Sequence, residues 1–104
     1  MKLLTKEIIN KLPKRYSQEN EKNPMIICKF FDPTGSWSWY AIEGEQEGDD
    51  FIFFGLVEGF ESELGYFSLH ELETCKQGLT GMRALPIERD IHFKPCRLSE
   101  IRGK

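Results

Sequence analysis

The sequence predicts an α+β domain, a mostly antiparallel meander of four to five strands with an N-terminal helix and a second helix near residues 69–77. Three observations carry that reading. Apolar side chains recur with period two, or run unbroken, in three stretches between Met25 and Glu58. Turn chemistry (DPTGS) and a polar acidic stretch (GEQEGDD) separate those stretches. Two short amphipathic segments open on residues that cap helices.

In chain order, Thr5 is an N-cap for KEIINKL, with Leu4, Ile8 and Leu12 on one stripe and Pro13 as the stop. Residues 13–24 are polar and read as a loop. The first strand is MIICKFFD, with Ile26, Cys28 and Phe30 on one face and Ile27, Lys29 and Phe31 on the other. After the DPTGS turn, Ser36–Glu43 forms a hairpin partner with Trp37 and Trp39 opposite Tyr40 and Ile42. Phe51–Glu58 is apolar on both faces, as expected for a strand inside a sheet, and Gly55 within it marks a bulge or a close backbone approach. GFESELG reads as a second acidic loop, followed by a short strand-like YFSL. Ser68 and Glu71 form an S-x-x-E capping box for a helix LHELETCK that faces Leu69, Leu72 and Cys75 or Lys76 inward and stops at Gly78. A Gly-containing loop leads to a last strand, Glu88–Phe93, with Ile91 and Phe93 inward, and Leu98–Arg102 can add a helical turn.

At 104 residues the chain is expected to form a single domain spanning 1–104, and 39% hydrophobic content is enough for a core without staples. The start MKLLTKEIINKLPK lacks the unbroken apolar stretch of a signal peptide, and the longest apolar run, Phe51–Val57, is too short for a membrane span. Three cysteines (Cys28, Cys75, Cys96) without a CxxC read as reduced thiols in a cytoplasmic protein.

Charge is distributed unevenly. Residues 1–33 carry net +3 and residues 76–104 net +4, but residues 34–75 hold ten acids and no Lys or Arg. Five of the ten fall in EGEQEGDD. Glu43-x-Glu45-x-Glu47-Gly48 opens like a calcium loop, yet its twelfth position is Phe54 in place of a bidentate carboxylate. His70 and Cys75 are five apart and splay round a helix, so no metal or other cofactor is expected. Neither Cys28 nor Cys96 has a local base, and no phosphate-binding glycine motif is present, so no enzyme activity is expected.

The acids themselves are the candidate site. Extended, Glu43, Glu45 and Glu47 stand on one face ~6.6–6.8 Å apart, on the scale of the charges along a nucleic-acid strand. Together with Asp49, Asp50, Glu58, Glu61 and Glu63 they could enter a basic, phosphate-binding groove on another protein, with Trp37, Trp39 and Phe60 as apolar anchors. The bland alternative is a solubilising hairpin tip that guards FIFFGLV from aggregation, and the residues alone favour it. Basic residues cluster at the two ends (Lys2, Lys6, Lys11, Lys14 and Arg15; Arg89, Lys94, Arg97 and Arg102). The overall net charge of −3 argues against direct nucleic-acid binding by them.

WYAIE, FFGLVEGFESELGYFSLHELE and LPIERD together resemble a small domain-of-unknown-function family carried on plasmids, conjugative elements and phages. The resemblance runs from LLTKEIINKLP to about Ser99. That family has no agreed catalytic residues. The resemblance implies a mobile-element protein, and some members look like anti-CRISPR inhibitors of the RNA-guided nuclease of type II systems. Such a nuclease holds nucleic acid in a positively charged channel and reads its flanking motif with arginines. The expectation is therefore a catalytically inert inhibitor, monomer or weak dimer, that uses its acidic surface to block nucleic-acid binding. The alternative is a nucleic-acid-binding accessory protein of a plasmid or conjugative element that uses the basic ends.

Overall fold

The computed structural model describes residues 2–74 and 85–102. Its elements in chain order are α1 (Lys6–Lys11), β1 (Met25–Ile26), β2 (Cys28–Phe31), β3 (Ser38–Glu47), β4 (Asp50–Glu58), β5 (Ser62–Ser68), α2 (Leu69–Thr74), β6 (Glu88–Arg89), β7 (Cys96–Arg97) and α3 (Leu98–Arg102). Strands β5-β4-β3-β2-β6 form one five-stranded sheet, every described pairing antiparallel, and β1 pairs with β7 in a small separate ladder. The expected α+β architecture with an N-terminal helix and a later one is the architecture observed. The expected Cys75, Lys76 and Gly78 end of α2 lies outside the described residues.

Local chemistry accounts for the ends of these elements. The Thr5 hydroxyl accepts from the Ile8 amide at 3.3 Å, and Pro13 follows the last turn of α1. At α2 the capping box closes reciprocally: the Ser68 amide donates to Glu71 Oε1 and the Glu71 amide to Ser68 Oγ, each at 3.0 Å. The β3–β4 hairpin turns through Gly48-Asp49, with Gly48 at φ +60° and Asp49 on the ordinary side, the pattern of a type II′ turn.

The sheet buries both faces. On one, Leu3, Leu4 and Leu12 from the N-terminal segment, together with Leu72 and Ile87, cover Cys28, Phe30, Trp39, Ala41, Phe51, Phe53 and Phe67. On the other, Leu98, Phe93 and Ile101 cover Ile26, Tyr40, Ile42 and Leu56. The faces assigned to β3 and β4 from their alternation therefore hold.

Ile26 does not share a face with Cys28 and Phe30 as expected. The strand breaks at Ile27, and Ile26 joins the second cluster. The break belongs to a crease across the sheet. The Ile27 amide donates to Ala41 O at 2.8 Å, Ile42 is the extra residue of a bulge between Ala41 and Glu43, and Gly55 lies opposite Ala41. A Cβ at Gly55 would sit 1.8 Å from the Tyr40 carbonyl oxygen, so only glycine lets the two backbones approach this closely.

Three further expectations are corrected. The strands β3 and β5 run through most of what looked like acidic loop, because Glu43–Glu47 and Ser62–Gly65 are held by ladder pairing to β4. The last strand is only Glu88–Arg89, since Asp90 accepts from the His92 and Phe93 amides and turns the chain. That turn leaves Ile91 62% exposed, where an inward side chain was expected, and only Phe93 packs inward.

Candidate acidic interaction site

The eight candidate acids do not form one patch. Glu43 to Asp50 lie at the β3–β4 turn, whereas Glu58, Glu61 and Glu63 lie round the β4–β5 turn, at the other end of β4. Nine residues of strand separate the two ends by ~27 Å.

At the first end the bulge resets the parity of β3. Glu43, Glu45 and Glu47 then share one face, opposite Phe54, Ile52 and Asp50 respectively. They share little else. Beyond its Ala41–Cys28 pair, β3 loses its β2 neighbour, and the Pro13 carbonyl takes the vacant Gly44 amide at 3.0 Å. There the N-terminal chain crosses from one face of the sheet to the other. Tyr16 bends it with φ +70°, a conformation unusual for a non-glycine residue, and turns amides toward the sheet. The Glu43 carboxylate accepts those amides, Tyr16 N at 2.7 Å and Gln18 N at 2.8 Å, one on each oxygen. Glu43 is only 2% exposed. The expectation that it faces a partner as part of an acidic ladder is corrected: it is an internal hydrogen-bond acceptor that pins the 14–18 loop.

Its neighbours are also occupied. Glu47 pairs with Arg15 at 3.0 Å, and that hydrogen bond raises the guanidinium pKa. The Arg15 guanidinium also lies 5.2 Å from the centres of both the Tyr16 and Tyr66 rings. Burial, and then Tyr16, push the Tyr66 phenol up. Asp50 accepts from the Phe51 amide at 2.8 Å and from the His70 amide at 3.0 Å in the first turn of α2. The Phe51 bond is the main reason its carboxyl is held below the usual range. Only Glu45 and Asp49 at this end are exposed with no ion pair among the described residues.

The second end is built differently. Across its last sheet rung stand Ser62, Glu58, Ser38, Phe31 and Glu88, with no basic residue. Trp39, Trp37 and Phe60 step outward from the core, with ring centres 5.9 Å and then 5.4 Å apart, and Phe60 is 95% exposed. Trp37, Val57, Gly59, Phe60, Glu61 and Glu63 line a shallow cleft of about 230 Å³. Glu61 and Glu63 are exposed, Glu58 is half-buried, and none has an ion pair among the described residues. The adjoining β2–β3 turn is held by Asp32, which is buried and whose Oδ1 accepts both the amide and the hydroxyl of Thr34 at 2.9 Å.

Several basic residues of the chain ends are engaged elsewhere. Arg89 donates to the Lys2 and Leu3 carbonyls at 2.8 and 3.2 Å, Arg97 to the Asn23 carbonyl at 3.1 Å, and Lys11 pairs with Glu7 at 3.7 Å. Among the described residues no group of three or more His, Cys, Asp or Glu is placed to hold a metal ion, and no helix is long and apolar enough to cross a membrane. Cys28 is buried, which pushes its thiol up to about 12, and Cys96 is half-buried and also raised.

The fold and these two acidic ends define a small α+β domain on a five-stranded antiparallel sheet. The chain belongs to DUF2958, a family of proteins of unknown function, whose model matches residues 3–101. No curated protein and no solved structure matches it.

Proposed function

We propose that the protein is a binding inhibitor. It presents the acidic, aromatic Glu58–Glu63 end to a basic groove in which another protein holds nucleic acid. The RNA-guided DNA nuclease of type II CRISPR systems is the target that the family resemblance suggests, and the inhibitor itself performs no chemistry. The observation that carries this reading is Phe60, 95% exposed and flanked by the carboxylates of Glu61 and Glu63. A bare aromatic side chain beside carboxylates that have no ion pair among the described residues suits a partner that supplies both an apolar socket and cations. Steering by the field of these acids speeds encounter and weakens with salt.

Of the two acidic segments expected from the sequence to meet the partner, 43–50 and 58–63, the proposal rests on 58–63. The test compares two variants in a DNA-cleavage inhibition assay. Glu58→Gln/Glu61→Gln/Glu63→Gln is expected to lose at least tenfold in inhibitory potency, whereas Glu45→Gln/Asp49→Asn changes it less than threefold. Undiminished potency in the triple variant defeats the proposal for this end.

A further inference from the structure

A second cavity lies away from the proposed docking end. It lies on the opposite half of the sheet, has a volume of about 340 Å³, and is bounded by the 16–24 loop, by Ile42 and Glu43 of β3, and by Phe54, Leu64 and Tyr66 of β4 and β5. Three features converge on it. Its walls are aromatic: Tyr66 stands 5.1 Å from Phe54 and 6.3 Å from Tyr16, both tilted to it. Its charged lining is acidic, with Glu19, Glu21 and Glu43 against Lys22. Glu43 itself is 98% removed from solvent, since its exposure is 2%, and no basic side chain lies within 4.0 Å of it among the described residues. A buried carboxylate ordinarily has a cation beside it. Here two backbone amides take one lone pair on each oxygen, and the remaining acceptor capacity is unused among the described residues.

We infer that this cavity binds a guanidinium group, stacked on the Tyr16, Phe54 and Tyr66 rings and held by the field of Glu43, Glu19 and Glu21. A planar, weakly hydrated cation that both stacks on aromatic faces and pairs with carboxylates suits such walls better than a compact ammonium. The chain already makes this kind of contact next door. Arg15, which is not part of the cavity wall, places its guanidinium on the same two tyrosines while bonding Glu47. The inference does not depend on the inhibitor reading, because its residues lie at the other end of the hairpin from Phe60.

The experiment titrates the full chain, ¹³C-labelled at its tyrosines, with Nα-acetyl-arginine amide, its neutral isostere Nα-acetyl-citrulline amide, and ethylguanidinium, following ring signals by NMR. Saturable shifts of Tyr16 and Tyr66 are expected with arginine amide, at least tenfold weaker with citrulline amide. Tyr66→Leu, a change at a half-exposed ring that leaves Glu43 in place, and Glu21→Gln should each weaken binding several-fold, whereas Phe60→Ala should not. Ethylguanidinium binding as tightly as the amide assigns the site to a free guanidine. Tighter binding of the amide assigns it to an arginine side chain of a partner. Equal binding of citrulline, shifts confined to other residues, or no saturation at 50 mM each overturn the inference.

Discussion

The two ends of the β3–β4 hairpin, with five acids at one and three at the other, use their charge in opposite ways. At the Gly48 turn, Glu43 is buried in a cradle of amides, Glu47 holds Arg15, and Asp50 caps α2. At the Gly59 turn, Glu58, Glu61 and Glu63 have no ion pair among the described residues and surround an exposed phenylalanine. Part of the first set is consumed in making the fold, and the second has no ion pair among the described residues. A count of acidic side chains therefore overstates the field a protein projects: a carboxylate that accepts buried amides contributes to stability and little to steering.

Removing one acid from each end and measuring stability should separate the two most widely. Glu43→Ala leaves the Tyr16 and Gln18 amides without their acceptor. At ~1–3 kcal/mol for each buried donor left unsatisfied, the expected loss is about 3 kcal/mol by urea denaturation. Glu61→Ala, on an exposed turn, should fall within ~0.5 kcal/mol of the parent. Equal losses would mean that Glu43 does not pin the loop. Next in size is Arg15→Met, which removes an ion pair and two ring contacts near the surface. The urea midpoint should fall by less than for Glu43→Ala, and part of that loss should disappear at high salt.

Much of this contrast was hidden in the sequence. Strand alternation was legible because β3 and β4 keep strict period two as far as the bulge, and the capping box at Ser68 announced α2 directly. Gly55 flagged a close approach, which the structure places against the Tyr40 carbonyl. The bulge at Ile42 was not legible. It arises from the meeting of β2, β3 and β4 at one crease, and it decides the burial of Glu43, because resetting the parity turns that carboxylate toward the crossing loop. The partners of Glu43 are backbone amides 25 and 27 residues away, donors that every sequence has and no side-chain pattern reveals. The one available signal was Tyr16 in a polar loop, an aromatic with no predicted element to bury it. The GEQEGDD and FESELG stretches read as loops because their residues are polar. Pairing to β4 overrides that propensity, as sheet context often does.

A smaller effect tests Asp50, an acid of the first end that remains partly exposed. Hydrogen bonds, chiefly from the Phe51 amide, lower its carboxyl pKa in the folded chain. A depressed folded value means that its contribution is present above the unfolded carboxylate value near ~3.9 and is lost as pH falls through the folded one. Stability compared between the parent and Asp50→Asn should therefore differ at pH 6 and converge as pH drops below about 4. A difference that stays constant down to pH 2.5 would show that the bonds to Phe51 and His70 do not depend on charge.

The smallest stability effect belongs to the residue on which the functional reading depends. Phe60 touches Trp37 edge-on at 5.4 Å but is 95% exposed, so Phe60→Ala should move the urea midpoint by no more than ~0.5 kcal/mol equivalent. An aromatic ring held in water contributes almost nothing to the folded state, and its contact with Trp37 offers a direct optical readout of anything that covers it. Binding of the proposed partner should change Trp37 fluorescence in the parent, while Phe60→Ala should weaken that binding at least tenfold with stability intact. A substitution here that unfolds the protein would make Phe60 a structural residue like Glu43, and the two ends of the hairpin would no longer differ in kind.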